Sequence, residues 1–140
     1  MMKTIYFLIL ILLVSNICKA DTIDYWHVYY NKTKIKEFNQ ISRGKTLVFK
    51  IANIKKKDSI TVKYFRDTPC FDCVTSLTAE DEKHYVVVIN HGKGTFNPVS
   101  FSLADILRYK EQNNKDYFEV YYYETHSVAD KILLFRMKLE

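Results

Sequence analysis

The chain has 140 residues, and 21 Lys and Arg against 16 Asp and Glu give it a net charge of +5. With three Gly and two Pro it is neither a flexible linker nor a low-complexity segment. The modest positive charge favours solubility and does not call for a polyanion, so we expect no nucleic-acid partner. Eleven Tyr and nine Phe favour the half-buried surface of β-sheets.

The first twenty residues have the order of a cleavable secretory signal peptide. Lys3 gives a positive start, an apolar run follows at 5–14, and the small Ala20 precedes the expected cut. A spanning helix needs about 20 apolar residues, which argues against an uncleaved membrane anchor. A lipoprotein signal would acylate Cys18, but the large Ile17 stands where that signal requires a small residue.

Cleavage after Ala20 would leave residues 21–140, a length that suits one domain, with a net charge of +3. We therefore expect an exported protein of the periplasm, the cell surface or the extracellular medium, with no transmembrane anchor after cleavage. Asn31-Lys32-Thr33 fits the N-glycosylation pattern, which has a meaning only in a eukaryotic secretory pathway.

Residues 21–140 contain a series of short segments whose composition and alternation predict β-strands. They lie at 22–30, 33–38, 46–51, 59–65, 73–79, 85–90, 117–124 and 131–139. Lys34 and Lys36 predict that the second of these is a protected edge strand. The most apolar segment, 85–90, is predicted to be central, and a polar turn is predicted at 125–130.

One short helix is predicted at 103–111, where apolar residues recur at helical spacing and Ser102 can cap the first turn. Eight or nine short strands with one helical crossover predict an all-β fold, an antiparallel β-sandwich. The layout resembles immunoglobulin-like sandwiches in strand count and spacing, a likeness that carries no function. A closed β-barrel is the alternative.

Cys70 and Cys73 form the strongest local motif, a C-x-x-C pair. Outside the cytoplasm such neighbouring thiols tend to be oxidised, so a structural disulfide is the first interpretation. A redox-active pair is the second, although no helix is predicted after the motif and the carboxylate of Asp72 would raise a thiol pKa. A zinc site would need two further ligands at recognisable spacing, and we expect neither a metal nor another cofactor.

Adjacent aromatic residues occur on the predicted strands, as in Tyr25-Trp26, Tyr29-Tyr30 and Tyr121-Tyr122-Tyr123. Because successive strand residues point to opposite faces, each string must place at least one ring away from the core. Such rings could form a strip that binds a protein or polysaccharide partner. The candidate contacts are Trp26, Tyr30, Tyr121 and Tyr123. The alternative is that the outward rings only pair across strands.

No catalytic motif is present. Gly44-Lys45-Thr46 resembles the end of a phosphate-binding loop, but Asn39 replaces the required earlier Gly and a strand is predicted to follow. A hydrolase would need a histidine, an acid and a nucleophile brought together near 84–98. The sequence thus favours a small exported non-enzymatic binding protein. The alternative is an extracytoplasmic thiol–disulfide protein that uses Cys70 and Cys73.

Overall fold

The structure, a computed structural model, describes residues 24–125 and 131–140. The predicted signal peptide, residues 1–20, lies outside the described residues, and so does most of the polar turn predicted at 125–130.

Nine strands are found within these ranges. They are β1 (Tyr25–Tyr30), β2 (Thr33–Asn39), β3 (Lys45–Phe49), β4 (Ser59–Phe65), β5 (Val74–Asp81), β6 (Val86–Lys93), β7 (Val99–Ser102), β8 (Tyr117–Glu124) and β9 (Ile132–Leu139). One sheet has the order β2-β1-β4-β7 and the other the order β3-β9-β8-β5-β6. Their apolar inner faces share one core. The predicted all-β sandwich is confirmed, and the alternative of a closed barrel is wrong because the strands divide between two sheets.

Strand pairing departs from the predicted antiparallel pattern at one place among the described strands. β3 runs parallel to β9, with Lys45 opposite Phe135 and Phe49 opposite Leu139. The chain changes sheets between β2 and β3, so β3 cannot fold back as a hairpin on the strand before it. It instead lines the edge of the five-stranded sheet beside the last strand of the chain.

The predicted helix is confirmed as α1 (Leu103–Asn113), which carries the chain from β7 in one sheet to β8 in the other. The Ser102 hydroxyl accepts a hydrogen bond from the Ala104 amide at 3.2 Å, as expected of an N-cap. Asn114 ends the helix in a left-handed conformation, and its amide donates to the Lys110 carbonyl.

The edge strands are only partly those that the sequence predicts. β2 is an edge strand, as Lys34 and Lys36 indicate. The prediction that the apolar β6 is central is wrong, because β6 pairs with β5 alone and ends the five-stranded sheet. Val86 and Ile89 are accordingly 55% and 46% exposed. The apolar composition of a segment indicates that it suits a β-sheet, but it does not indicate whether the strand pairs with one neighbouring strand or with two.

Trp26 joins the two sheets and is 1% exposed. Its indole stacks on Tyr64 of β4 with the ring centroids 4.9 Å apart, and meets Tyr122 of β8 edge-on at 6.4 Å. The prediction that Trp26 contacts a partner from the surface is therefore wrong. The physical reason is that position 26 shares a strand face with the fully buried Val28.

A buried carboxylate fastens the β1–β2 turn to the start of β4. The side chain of Asp58 accepts hydrogen bonds from the Tyr30 hydroxyl, the Asn31 amide at 3.0 Å and the Lys55 backbone amide at 2.8 Å. These bonds, that of Lys55 foremost, lower the pKa of Asp58 below its usual range. The Asp58 carbonyl also accepts the first amide of α1, that of Leu103, at 2.9 Å. One residue thus positions a turn, a strand and the helix.

Trp26 and Tyr25 lie on opposite faces of β1, so their replacement should lower the free energy of unfolding by very different amounts. Trp26→Ala removes the indole that packs between the sheets and leaves a cavity, so it should lower the free energy of unfolding by about 3–5 kcal/mol. Tyr25→Ala removes an outward ring that pairs across strands and should cost about 1 kcal/mol or less. Urea unfolding followed by far-ultraviolet circular dichroism measures both, and equal losses would contradict the assignment of the faces.

Asp58 should make stability depend on pH in the acid range. Because its folded pKa is lowered, its contribution is complete above the unfolded pKa of about 4 and is lost as pH falls through the folded value. The difference in melting temperature between the native protein and Asp58→Asn should therefore shrink below about pH 4. Thermal melts of both proteins at several pH values measure it, and a constant difference would refute this role.

Candidate binding surface on the four-stranded sheet

The residues that alternate with the buried ones on β1 face away from the core. Tyr25, His27 and Tyr29 are half-buried, whereas Trp26 between them is buried. Burying Trp26 forces both of its neighbours outward, because successive strand residues point to opposite faces. The expectation that each aromatic string places a ring outside is met on β1, but the outward rings are Tyr25 and Tyr29, not Trp26 and Tyr30.

Five half-buried rings form a continuous row on this outer face, which we call the aromatic ladder. Tyr29, His27 and Tyr25 follow β1, with successive centroids 6.2 Å and 5.3 Å apart. Phe65 of β4 lies opposite Tyr25 in the register and stacks on it at 4.9 Å with only 9° between the planes. Phe96, in the loop after β6, continues the row at 5.8 Å from Phe65. These separations are those of favourable aromatic pairs.

Phe96 adopts an uncommon backbone conformation at the end of the ladder. Its φ is +70°, in the left-handed region that costs a bulky residue roughly 1–3 kcal/mol. The Phe96 amide donates to the Tyr64 carbonyl at 3.2 Å, which fixes the loop against β4. The surrounding structure therefore keeps Phe96 in a backbone conformation that a bulky residue normally avoids, with its ring beside Phe65.

Polar groups border the ladder. His27 Nε2 lies 2.8 Å from a carboxylate oxygen of Glu37, and the Lys34 ammonium donates to the same oxygen at 3.3 Å. The hydrogen bond from Lys34, supported by that with His27, lowers the pKa of Glu37. The Lys63 ammonium lies 5.2 Å from the centroid of the Phe65 ring, within the range of a cation–π contact. The face thus combines apolar rings with charges of both signs.

Tyr30 faces inward at the margin of the core and does not join the ladder. Its ring stacks on Phe49 at 6.1 Å, and its hydroxyl donates to Asp58. Burial, with the hydrogen bond and charge of Asp58, raises the pKa of Tyr30 to about 12. Its hydroxyl is therefore engaged inside the protein, although part of the ring stays accessible.

Tyr121 and Tyr123 lie on the outer face of the other sheet. Tyr122 between them is buried, so both neighbours point outward. The Tyr121 hydroxyl donates to Glu119 at 2.6 Å, and the Lys131 ammonium lies 4.2 Å from the centroid of its ring. Because the two outer faces point in opposite directions, the four predicted contact residues do not form one strip.

The predicted Cys70–Cys73 disulfide is present, with the two Cα atoms 5.6 Å apart. The loop is fastened to the segment after β6: the Gly94 amide donates to the Cys73 carbonyl at 2.8 Å, and the Thr95 amide to the Cys70 carbonyl at 2.7 Å. Cys73 is 1% exposed, and strand β5 begins at the next residue instead of a helix. The surroundings therefore lack the helix N-terminus that lowers a thiol pKa in redox motifs.

A buried ion pair supports this loop from behind. The Thr95 hydroxyl donates to Glu124 at 3.0 Å, and Arg66 pairs with the other oxygen of that carboxylate at 2.9 Å. Glu124 is buried, so both contacts compensate a charge that would otherwise be costly to bury. The loop is thus tied to the core on two sides.

One Ser–His contact bears on catalysis. Ser76 Oγ lies 2.8 Å from His91 Nδ1 on the outer face of the five-stranded sheet. A nucleophile–base pair of this kind needs an acid to orient the histidine, and among the described residues no carboxylate lies within 4.0 Å of His91. Ser76 also sits within a strand that is paired on both sides, away from any loop that could form an oxyanion hole.

Within residues 24–125 and 131–140, α1 and every other helical segment fall short of the length and hydropathy that a bilayer crossing requires. No protein-family model and no curated protein matches the chain. No enzyme family is therefore among its matches, and the surfaces described above are the basis for any functional assignment.

Proposed function

We propose that the chain is a small exported binding protein, not an enzyme, that holds a polysaccharide on its aromatic ladder. The observation that carries the proposal is the uninterrupted row of five half-buried rings on an outward sheet face. Rings that serve only to stabilise a sheet pair across neighbouring strands. The ladder continues beyond such a pair into a loop, where Phe96 is held in a strained conformation.

A polysaccharide suits this surface better than a protein does. The C–H face of a pyranose packs on an aromatic ring, while its hydroxyls need hydrogen-bonding groups at the border of the stack. Glu37 and Lys63 supply such groups beside the rings, and Thr61 and Ser100, bonded to each other at 2.8 Å, add hydroxyls on the next strands. A protein partner would instead favour deep pockets for anchor side chains.

Two observations support the rest of the proposal. The Cys70–Cys73 disulfide fits an oxidising compartment, in agreement with the signal peptide expected at residues 1–20. The Ser76–His91 contact lacks the acid of a triad among the described residues, and no enzyme family matches. The first observation favours export, and the second favours binding without catalysis.

The ladder can be tested by affinity electrophoresis through gels that contain laminarin, mannan or hydroxyethyl cellulose. We expect at least one of them to retard the native protein, and Tyr25→Ala and Phe65→Ala each to weaken that binding by about tenfold, which is 1.4 kcal/mol. Both side chains are half-buried on the outer face, so the variants should melt close to the native temperature.

Tyr121→Ala is the matched control, since it removes an outward tyrosine from the opposite sheet. It should leave the retardation unchanged. Absence of retardation in all three gels would contradict the proposal, as would an equal loss in the control. Capture of a protein partner that depends on Tyr25 and Phe65 would reassign the ladder to protein recognition.

The disulfide favours one second candidate, a thiol–disulfide protein that uses Cys70 and Cys73. The buried Cys73 and the strand that follows the pair weigh against it. We expect no catalysis of insulin reduction by the native protein. The double variant Cys70→Ser, Cys73→Ser should lower the free energy of unfolding by at most about 2 kcal/mol, because the closed loop is short. Turnover of insulin that is lost in the double variant would instead establish redox function.

A further inference from the structure

The sandwich is open along one side, where the edge strands β2 and β3 of the two sheets face each other. A cleft of about 480 Å³ lies there, and residues of both edges line it. Binding sites for small molecules commonly have volumes of about 300–1,000 Å³, so the cleft has the size of a ligand site. It is separate from the aromatic ladder, so a ligand bound in the cleft would be independent of the proposed function.

The lining of the cleft is mostly apolar, with residues from three strands and from the turn after β3. It consists mainly of Tyr30, Ile35, Leu47, Val48, Phe49 and Ile54. Ile35 is 40% exposed, although it is aliphatic. An exposed apolar lining of this kind is favourable only when something covers it.

Ile35 lies in the cleft because of a β-bulge. Val28 pairs with Lys36 while the next residue, Tyr29, pairs with Lys34, so Ile35 is the extra residue of β2. A bulge redirects a side chain and twists the strand that carries it. The bulge therefore places an aliphatic side chain at the cleft on an edge that is otherwise rich in lysine.

One lysine lines the cleft, and others lie near its lining residues in the sequence. Lys50 is the lining lysine, Lys34 and Lys36 flank Ile35, and Lys55 follows Ile54. All four are exposed. Among the described residues, only Lys34 of these four has a carboxylate within 4.0 Å, that of Glu37. Lys50, the lysine that lines the cleft, thus has no carboxylate within 4.0 Å among the described residues.

The charge of the chain is concentrated at this end. Residues 24–58 contain nine Lys and Arg against three Asp and Glu, a net charge of +6, whereas residues 59–140 have a net charge of −2. One of the three acids, Asp58, is buried and held by hydrogen bonds, and another, Glu37, is bound by Lys34 and His27. The segment that supplies the lining of the cleft is therefore positively charged, which favours an anionic ligand.

An added peptide strand fits this side poorly. Edge lysines and bulges are the devices by which proteins prevent a further strand from pairing, and β2 has both. A ligand without a peptide backbone avoids this obstacle. Its apolar part would cover the aliphatic lining, and an anionic head would pair with Lys50.

We infer that the cleft between β2 and β3 binds a single-chain anionic amphiphile, a free fatty acid. The acyl chain lies against Leu47, Phe49 and Ile35, and the carboxylate pairs with Lys50. Charge complementarity favours the anionic head group of the ligand, and the apolar lining favours its acyl chain.

Isothermal titration calorimetry of the purified protein with dodecanoate tests this assignment, with dodecanol as the uncharged probe. We expect dodecanoate to bind at one site, with an affinity that falls as salt rises, and dodecanol to bind about tenfold more weakly. Ile35→Glu and Lys50→Glu place a negative charge at the cleft and should each weaken dodecanoate binding by about tenfold or more.

Ile89→Glu and Lys93→Glu are the matched controls, because they make the same changes at exposed positions of β6, on the far edge of the five-stranded sheet. They should leave the affinity within about twofold of the native value. No binding of dodecanoate, equal binding of dodecanol, or equal losses in the controls would overturn the assignment. Binding only to vesicles that contain phosphatidylglycerol would indicate a membrane surface instead, and displacement of dodecanoate by polyglutamate an acidic protein.

Discussion

The stacking of Trp26 on Tyr64, met from the opposite sheet by Tyr122, fixes the direction in which β1 faces. Within the described residues the indole nitrogen of Trp26 has no hydrogen-bond partner. Leaving such a buried group unpaired costs about 1–3 kcal/mol, so aromatic packing must outweigh that cost. A slip of β1 by one residue would exchange Trp26 for Tyr25 and reverse both faces of the strand.

The proposed binding surfaces follow from this orientation. With Trp26 inside, Tyr25 comes to lie opposite Phe65, and the ladder forms on the outer face. With Tyr30 inside, the end of β1 becomes part of the wall of the cleft between the sheet edges. One surface presents rings with charges of both signs, whereas the other combines an aliphatic lining with lysines. The rings of the ladder and the residues that line the cleft are different, so the two binding proposals can fail independently.

Features that depend on the local sequence pattern could be predicted, whereas features that depend on residues far apart in the chain could not. Alternation and capping are enough for the sandwich and for α1, and the close spacing of Cys70 and Cys73 for the disulfide. The polar His27 and the apolar Val28 could have shown that Trp26 faces inward. No local signal reveals that Phe65 and Phe96 join the ladder, because their proximity depends on register and on a loop far away in the chain. The edge position of β6 is likewise a property of topology.

The environment of Trp26 gives the most direct test of the orientation of β1, since it is the only tryptophan in the chain. Acrylamide and iodide quenching of its fluorescence, in the native protein and in urea, measures how accessible the indole is. A Trp26 held between the sheets predicts blue-shifted native emission that iodide hardly quenches, with strong quenching only after unfolding. Native emission at the wavelength of the unfolded chain, with equal quenching in both states, would place Trp26 on the surface and contradict the orientation of β1.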